Sequence, residues 1–491
     1  MNRAIVRFST DFEIGVVAPT LFGSFVEHMG RGVYGGIYDP GPLADASGFR
    51  LDVVALIREL GVTAVRYPGG NFVSAYDWED GVGPLDERPK RLDLAWKTVE
   101  PNTVGVVEYL EWCALVGVEP ILAFNLGTRG IDAARSLFEY VNGSPGTRWA
   151  DLRVSHGHPE PFGVRYWCLG NEMDGPWQIG QKPAQEYAGI AREVAKALKL
   201  IDPDCVLIAC GSSHERMPTF GEWERIVLEE SYPYVDYISL HAYYEPDPAN
   251  PAVYLESAYS MDRFIRGVVA TADSVGARLG STKRIQLAFD EWNIFDPRRF
   301  GPAPDAWVPT GSPISEGVFD ATDAVVVGDL MVTLLNNCDR VGIAALAQLV
   351  NGIAPIMTSP DSAWRQTIFH PFARLSAAAG GTVLRPRIAA PELPSERFEA
   401  VPSVSIAAVL LASGEELLVT GANRSLESAV AVEVAVAGFG IASTSSPVVI
   451  EARDADGIRP LEASVVEGRL LVELPPASWF AVSLAEDAAG A

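Results

Sequence analysis

Two glutamates close apolar runs that lie far apart in the chain. Glu172 ends Tyr166-Trp167-Cys168-Leu169-Gly170-Asn171-Glu172, and Glu291 follows Phe289-Asp290. Hydrolysis of a glycosidic bond needs two carboxyl groups flanking that bond, one giving a proton to the leaving oxygen and one attacking or activating water. Either glutamate alone could merely cap a helix or pair with an arginine. Other hydrogen-bonding side chains recur at the ends of similar runs, however. These are Phe25-Val26-Glu27-His28, Val65-Arg66-Tyr67-Pro68-Gly69-Gly70-Asn71, Ala123-Phe124-Asn125, Leu240-His241-Ala242-Tyr243 and Ala347-Gln348. Carboxylates and amides with one arginine, one tyrosine and almost no lysine suit a hydroxyl-rich ligand. Such groups satisfy sugar OH groups while aromatic rings cover C–H faces. Trp78, Trp96, Trp177, Trp292 and Trp307 lie near these ends.

Positioning these residues requires a repeating scaffold. Short apolar runs at 21–26, 62–66, 120–124, 164–169, 205–210, 235–240, 285–289 and 342–347 read as strands. Amphipathic stretches at 51–60, 184–200, 261–279 and 324–336 read as helices between them. Eight strand–helix repeats predict an α/β fold, a (β/α)8 TIM barrel whose functional residues sit at the C-terminal strand ends. A dinucleotide-binding doubly wound sheet would need G-x-G-x-x-G after its first strand, and none is there. Strands 4 and 7 face each other across such a barrel's mouth and can hold two carboxyls about 5–5.5 Å apart, the retaining separation. After Thr382 the composition changes. Residues 383–491 contain no Tyr, His, Cys, Met or Lys, and strand-like runs alternate with Gly, Asp and Ser turns. The expected organisation is a strand segment over 1–18 joining the C-terminal sheet, a catalytic barrel over 19–382, and a C-terminal all-β sandwich domain over 383–491.

The charge narrows the partners. Lys and Arg number 38 against 63 Asp and Glu, a net charge of −25. Phosphate backbones are bound by Lys and Arg, so nucleic acid is excluded, and anionic membrane surfaces are repelled. No stretch approaches the ~18 apolar residues of a spanning helix, and the N-terminus lacks a secretory apolar core. Five scattered cysteines without a C-x-x-C pair read as reduced thiols of a cytoplasmic protein. His156-Gly157-His158 lies in a polar loop with no third ligand at metal spacing, so neither metal nor cofactor is expected. His28 and His241 read as supports for the carboxylates, and Cys168 as barrel-wall packing. No G-x-S-x-G nucleophile elbow is present.

The motifs taken together resemble the α-L-arabinofuranosidases of glycoside hydrolase family 51. The matching segments begin with Gly23-Ser24-Phe25-Val26-Glu27-His28, Arg66-Tyr67-Pro68-Gly69-Gly70-Asn71-Phe72 and the run from Tyr166 through Asn171-Glu172 to Trp177-Gln178. They continue with Ser239-Leu240-His241-Ala242-Tyr243-Tyr244, Asp290-Glu291-Trp292-Asn293 and Ala347-Gln348-Leu349-Val350-Asn351. The resemblance implies Glu172 as general acid/base and Glu291 as nucleophile. It implies that Glu27, Asn71, Asn171, Tyr243 and Gln348 bind the arabinofuranosyl ring, with Asn171 on the 2-OH. Arg66 would orient Glu291 and keep it ionised, and Trp96 would serve as a subsite aromatic. The implied activity is exo-hydrolysis of terminal α-L-arabinofuranosyl residues from arabinan- or arabinoxylan-derived oligosaccharides, by a homo-oligomer that is often hexameric in the family. Asp77 and Phe295 depart from the family's frequent Asn and Trp, which bears on the aglycone side and not on the carboxylates. A clan member acting on β-xylosides or β-glucans would share the carboxylate pair, and a silent sugar-binding protein would lack hydrolysis. The intact set of polar strand ends argues against the latter.

Overall fold

The computed structural model describes residues 2–452 and 457–486. Eight parallel strands close a barrel: Gly23–Phe25, Ala64–Tyr67, Glu119–Ala123, Tyr166–Leu169, Val206–Ala209, Tyr237–Tyr244, Gln286–Ile294 and Val341–Leu346. The last strand pairs with the first, through Ala345 opposite Gly23, so no edge is left open. Parallel strands covered by helices are buried on both faces, which is why they read as apolar runs. Ala64, Ile121, Cys168, Ile208, Ala288 and Ile343, from six of the strands, form one cluster that fills the barrel interior. Cys168 thus belongs to the interior and not to the wall.

The sixth and seventh strands run beyond the expected 240 and 289, to Tyr244 and Ile294. His241, Tyr243 and Glu291 are therefore strand residues. Register shifts between Ser239 and His241, and between Phe289 and Trp292, break the inside–outside alternation there. A bulge of this kind lets neighbouring residues face the same side, so polar groups reach the interior without an early strand end.

Helix Ala321–Asn336 links the barrel to the sandwich. Asp320 accepts from the Asp323 amide and Asp323 from the Asp320 amide, a reciprocal cap that fixes the helix start. Almost every residue of this helix is buried, because one side packs on the barrel and the other on a β-sheet. A Cβ at Gly328 would lie 2.4 Å from the Trp479 ring, so only glycine admits this approach. The sheet it meets has seven strands and stacks on a five-stranded sheet over a core that includes Phe8, Val432, Val472 and Phe480. Asn2–Ser9 runs parallel to Val430–Ala437 in one sheet, and Glu13–Val16 pairs with Thr382–Leu384 in the other. One hairpin, Glu392–Ser395 with Glu399–Pro402, reaches back to the barrel, where Phe398 packs on Tyr259 with ring centroids 5.1 Å apart. Among the described residues no helix is long and apolar enough to cross a membrane.

The joint also carries a buried ion pair. Asp329 of the linking helix accepts from Arg424 Nε at 2.7 Å and Nη2 at 3.1 Å, and from the Ser405 hydroxyl. Removing one partner strands the other's charge away from water. Asp329→Ala should therefore cost about 3–5 kcal/mol, measured by thermal or urea unfolding. A loss below about 1 kcal/mol would show the pair to be solvated.

Candidate active site

The seventh strand delivers Glu291 to the barrel mouth. Arg66, from the second strand, donates Nη1 to Glu291 Oε1 at 2.7 Å and Nη2 to Asn171 Oδ1 at 2.7 Å. Its Nε lies 3.2 Å from Asp290 Oδ2. The Tyr243 hydroxyl donates to the second Glu291 oxygen at 2.8 Å. Two donors on opposite oxygens fix the carboxylate plane and stabilise its charge. Burial pushes the Glu291 carboxyl upward, while His241 and Arg66 pull it down and the nearby Glu172 raises it again. The net shift is upward.

Glu172 follows the fourth strand on a tight turn. Its φ of 45° lies in the left-handed region, which non-glycine residues occupy only when their surroundings hold them there. The Gly175 amide, donating to the Glu172 carbonyl at 2.8 Å, closes that turn. His241 Nδ1 bonds one carboxylate oxygen at 2.9 Å, and the Trp177 indole N–H donates to the other. Nε2 of His241 meets Asp290 Oδ1 at 3.1 Å. Burial opposes a charged imidazole, yet Glu291, Asp290 and Glu172 surround it and hold His241 well above its ordinary value. Burial likewise works against the Asp290 anion, and Arg66 and His241 reverse it, leaving Asp290 below the usual carboxylate range.

Ligand atoms of Glu172, His241 and Glu291 all lie within 4.8 Å of one another. One oxygen of each carboxylate thus lies within 4.8 Å of the other, in keeping with the close spacing of a nucleophile and its acid. The same trio resembles a metal donor set. Its atoms are already committed to each other and to Arg66, Tyr243 and Trp177.

Glu27 forms the neighbouring wall. Its carboxylate accepts from the Phe72 amide at 2.9 Å, the Trp96 indole at 2.9 Å and the Gln348 amide at 3.0 Å. A Cβ at Gly70 would stand 2.4 Å from Glu27 Oε2, so the Gly69-Gly70 pair is what lets the chain pass this close. Burial pushes Glu27 up to about 8 against the hydrogen bonds from Phe72 and Trp96.

The structure therefore brings together Glu172, Glu291, Arg66, Asn171 and Tyr243 in one network, and Glu27, Gln348 and Trp96 in an adjoining one. Asn71 opens the short helix Asn71–Ala75 beside Glu27's partner Phe72, and its side-chain amide makes no hydrogen bond among the described residues. Three expectations change. Trp78 and Trp292 are buried in the core, where Trp78 packs on Tyr140 and Trp149, so neither can cover a sugar. Trp177 and Trp307 remain half exposed. His28 supports no site carboxylate, because its ring nitrogens bind Glu100 and Tyr67 within an aromatic cluster. Asp290 was not singled out by its position, yet it touches both cations of the site. Strand alternation would have turned it away from Glu291, and the bulge overrides that alternation.

Similarity to known proteins supplies the family. Residues 56–262 match the family described as the α-L-arabinofuranosidase 1 domain, and 290–478 match the α-L-arabinofuranosidase C-terminal domain. An intracellular exo-α-(1→5)-L-arabinofuranosidase of Streptomyces lividans is 48% identical over 99% of this chain and 76% of its own length. One of the same description from Bacillus subtilis is 46% identical over 99% of both. The solved family 51 α-L-arabinofuranosidase of Bifidobacterium longum superposes with a TM-score of 0.94 at 42% identity, covering 99% of this chain and 100% of that one. This chain belongs to the family 51 α-L-arabinofuranosidases. Relatives in this family differ in linkage, since an exo-α-(1→6)-L-arabinofuranosidase of Bifidobacterium longum is 44% identical over 98% of this chain.

In this arabinofuranosidase, Glu27 also has a stability consequence. It keeps its proton in the folded chain up to about 8 but ionises near 4.5 when exposed. A raised carboxyl contributes stability that is complete below the lower value and lost as pH rises through the higher one. Glu27→Gln should therefore gain stability relative to wild type between about pH 5 and pH 8, by up to about 1.4 kcal/mol per pH unit. Unfolding curves across that range test this, and a pH-independent difference would contradict it.

Proposed function

We propose that the protein releases terminal non-reducing α-L-arabinofuranosyl residues from arabinan- or arabinoxylan-derived oligosaccharides by double displacement. The observation that carries the reading is the pair Glu172 and Glu291, with oxygens within 4.8 Å and each held by its own donors. Glu291 attacks the anomeric carbon as the bond to the leaving oxygen breaks, and the Glu172 proton passes to that oxygen. While Glu172 carries the proton its repulsion of Glu291 is gone, and Arg66 and Tyr243 hold the ionised nucleophile. The glycosyl ester on Glu291 is then cleaved by water, whose proton returns to Glu172.

Asn171, oriented by Arg66, serves the 2-OH, where a hydrogen bond strengthens in the oxocarbenium-like transition state. Glu27, Asn71, Gln348 and Tyr243 bind the remaining ring oxygens, and Trp96 covers the ring's edge. His241, cationic among three carboxylates, positions Glu172 and balances the charge of the site. The reading extends to a cytoplasmic homo-oligomer. The relatives named intracellular support the compartment, as do five buried cysteines that are all free thiols.

Glu291→Ala should reduce turnover of an aryl α-L-arabinofuranoside to background. Glu172→Ala should lose about 10²–10⁴-fold on arabino-oligosaccharides, far less on aryl substrates with good leaving groups, and azide should restore turnover of the latter. Steady-state kinetics on both substrate types check this. Equal losses on all leaving groups would overturn Glu172 as the acid.

A further inference from the structure

His214 lies in the loop after the fifth barrel strand, outside every segment given a role above. Both its neighbours are pinned. The Ser213 amide donates to Asp174 Oδ1 and Oδ2 at 3.2 and 3.1 Å, and Asp174 is two residues from Glu172. Glu215 accepts from the Ser260 hydroxyl at 2.5 Å and from Arg397 Nη2 at 3.3 Å. Arg397 comes from the hairpin that the sandwich sends back to the barrel, where it also stacks on Phe398. The loop is thus clamped to the Glu172 turn on one side and to the C-terminal sheets on the other.

Between these clamps the His214 ring is half-buried, with one nitrogen already defined. Nδ1 accepts the Arg216 amide at 3.0 Å, so the proton of the neutral ring resides on Nε2, which has no partner among the described residues. Burial, with the charges of Arg216 and Arg397, lowers His214 to about 4, and of the two site glutamates it is Glu172 that acts on the ring. The Ser213–Asp174 contact ties the His214 loop to the turn that carries Glu172, the group that protonates the leaving oxygen, and so sets this neutral donor on the side of the departing portion of the substrate. Trp177, half exposed and bonded to Glu172, lies on that same side.

We propose that His214 is a specificity-determining residue of the leaving-group subsite, its Nε2–H donating to a hydroxyl or ring oxygen of the sugar next to the scissile bond. Arg397 is its positioning residue, acting through Glu215. This rests on the arabinofuranosidase reading and adds the residue that senses what the arabinofuranosyl unit is attached to.

The test compares an α-(1→5)-linked arabinobiose with an aryl α-L-arabinofuranoside, which has no second sugar, on the full-length protein. His214→Ala should lower kcat/KM for arabinobiose about tenfold more than for the aryl substrate, chiefly through KM. His214→Gln, which restores an N–H donor, should recover part of that difference, and Arg397→Ala should shift the ratio in the same direction by a smaller factor. An unchanged ratio of the two substrates in His214→Ala, whether both fall or neither does, would overturn the proposal. Failure of the wild-type protein to cleave the aryl arabinofuranoside would instead overturn the reading on which it rests.

Discussion

A guanidinium that is 1% exposed brings a full charge into the interior that acids must compensate, and Arg66 has Glu291 and Asp290 within 3.2 Å. Its Nη2 donates to Asn171, the residue before Glu172. One side chain from the second strand therefore spans the mouth and ties the fourth strand to the seventh. Asp290 carries the linkage further, since its other oxygen meets His241, and His241 meets Glu172. Breaking the Arg66 contacts would leave three buried carboxylates with one imidazole between them. That arrangement would draw protons until Glu291 was neutral and no longer a nucleophile.

The barrel exists to hold that charge arrangement still. Its parallel strands bury apolar side chains on both faces and leave their C-terminal ends to hold polar ones. The sandwich contributes from a distance. It packs its seven-stranded sheet on helix Ala321–Asn336 and anchors it by the Asp329–Arg424 pair. It also extends the hairpin whose Arg397 holds the loop after the fifth strand. The C-terminal sheets are in this way joined to the loop beside the Glu172 turn, although among the described residues none of theirs touches the two glutamates.

Much of this was legible in the amino-acid sequence, and for physical reasons. Buried parallel strands must be apolar and barrel strand ends must be polar, so all eight strands and the two glutamates could be placed from residue order alone. Helix 51–60 matches its observed bounds, because Val53, Val54, Ile57 and Leu60 repeat at helical spacing and Gly61 ends it in a left-handed cap. What could not be read depends on registers and on long-range contacts. Asp290 faces the same cations as Glu291 only because a bulge breaks alternation. Trp78 and Trp292 lie close in sequence to the polar strand ends but turn into the core. His28 follows Glu27 directly, yet it bonds Glu100 from a distant segment. The reach of residues 392–402 back to the barrel left no trace in local composition.

The central claim is that Glu172 and Glu291 act on opposite sides of one bond at a separation that admits a covalent intermediate and excludes an interposed water. The stereochemistry of the first product tests this most directly. Anomeric proton resonances followed from the first seconds of hydrolysis, before mutarotation, should show α-L-arabinofuranose appearing first. Initial release of the β anomer would contradict the account, because a single displacement by water inverts that centre.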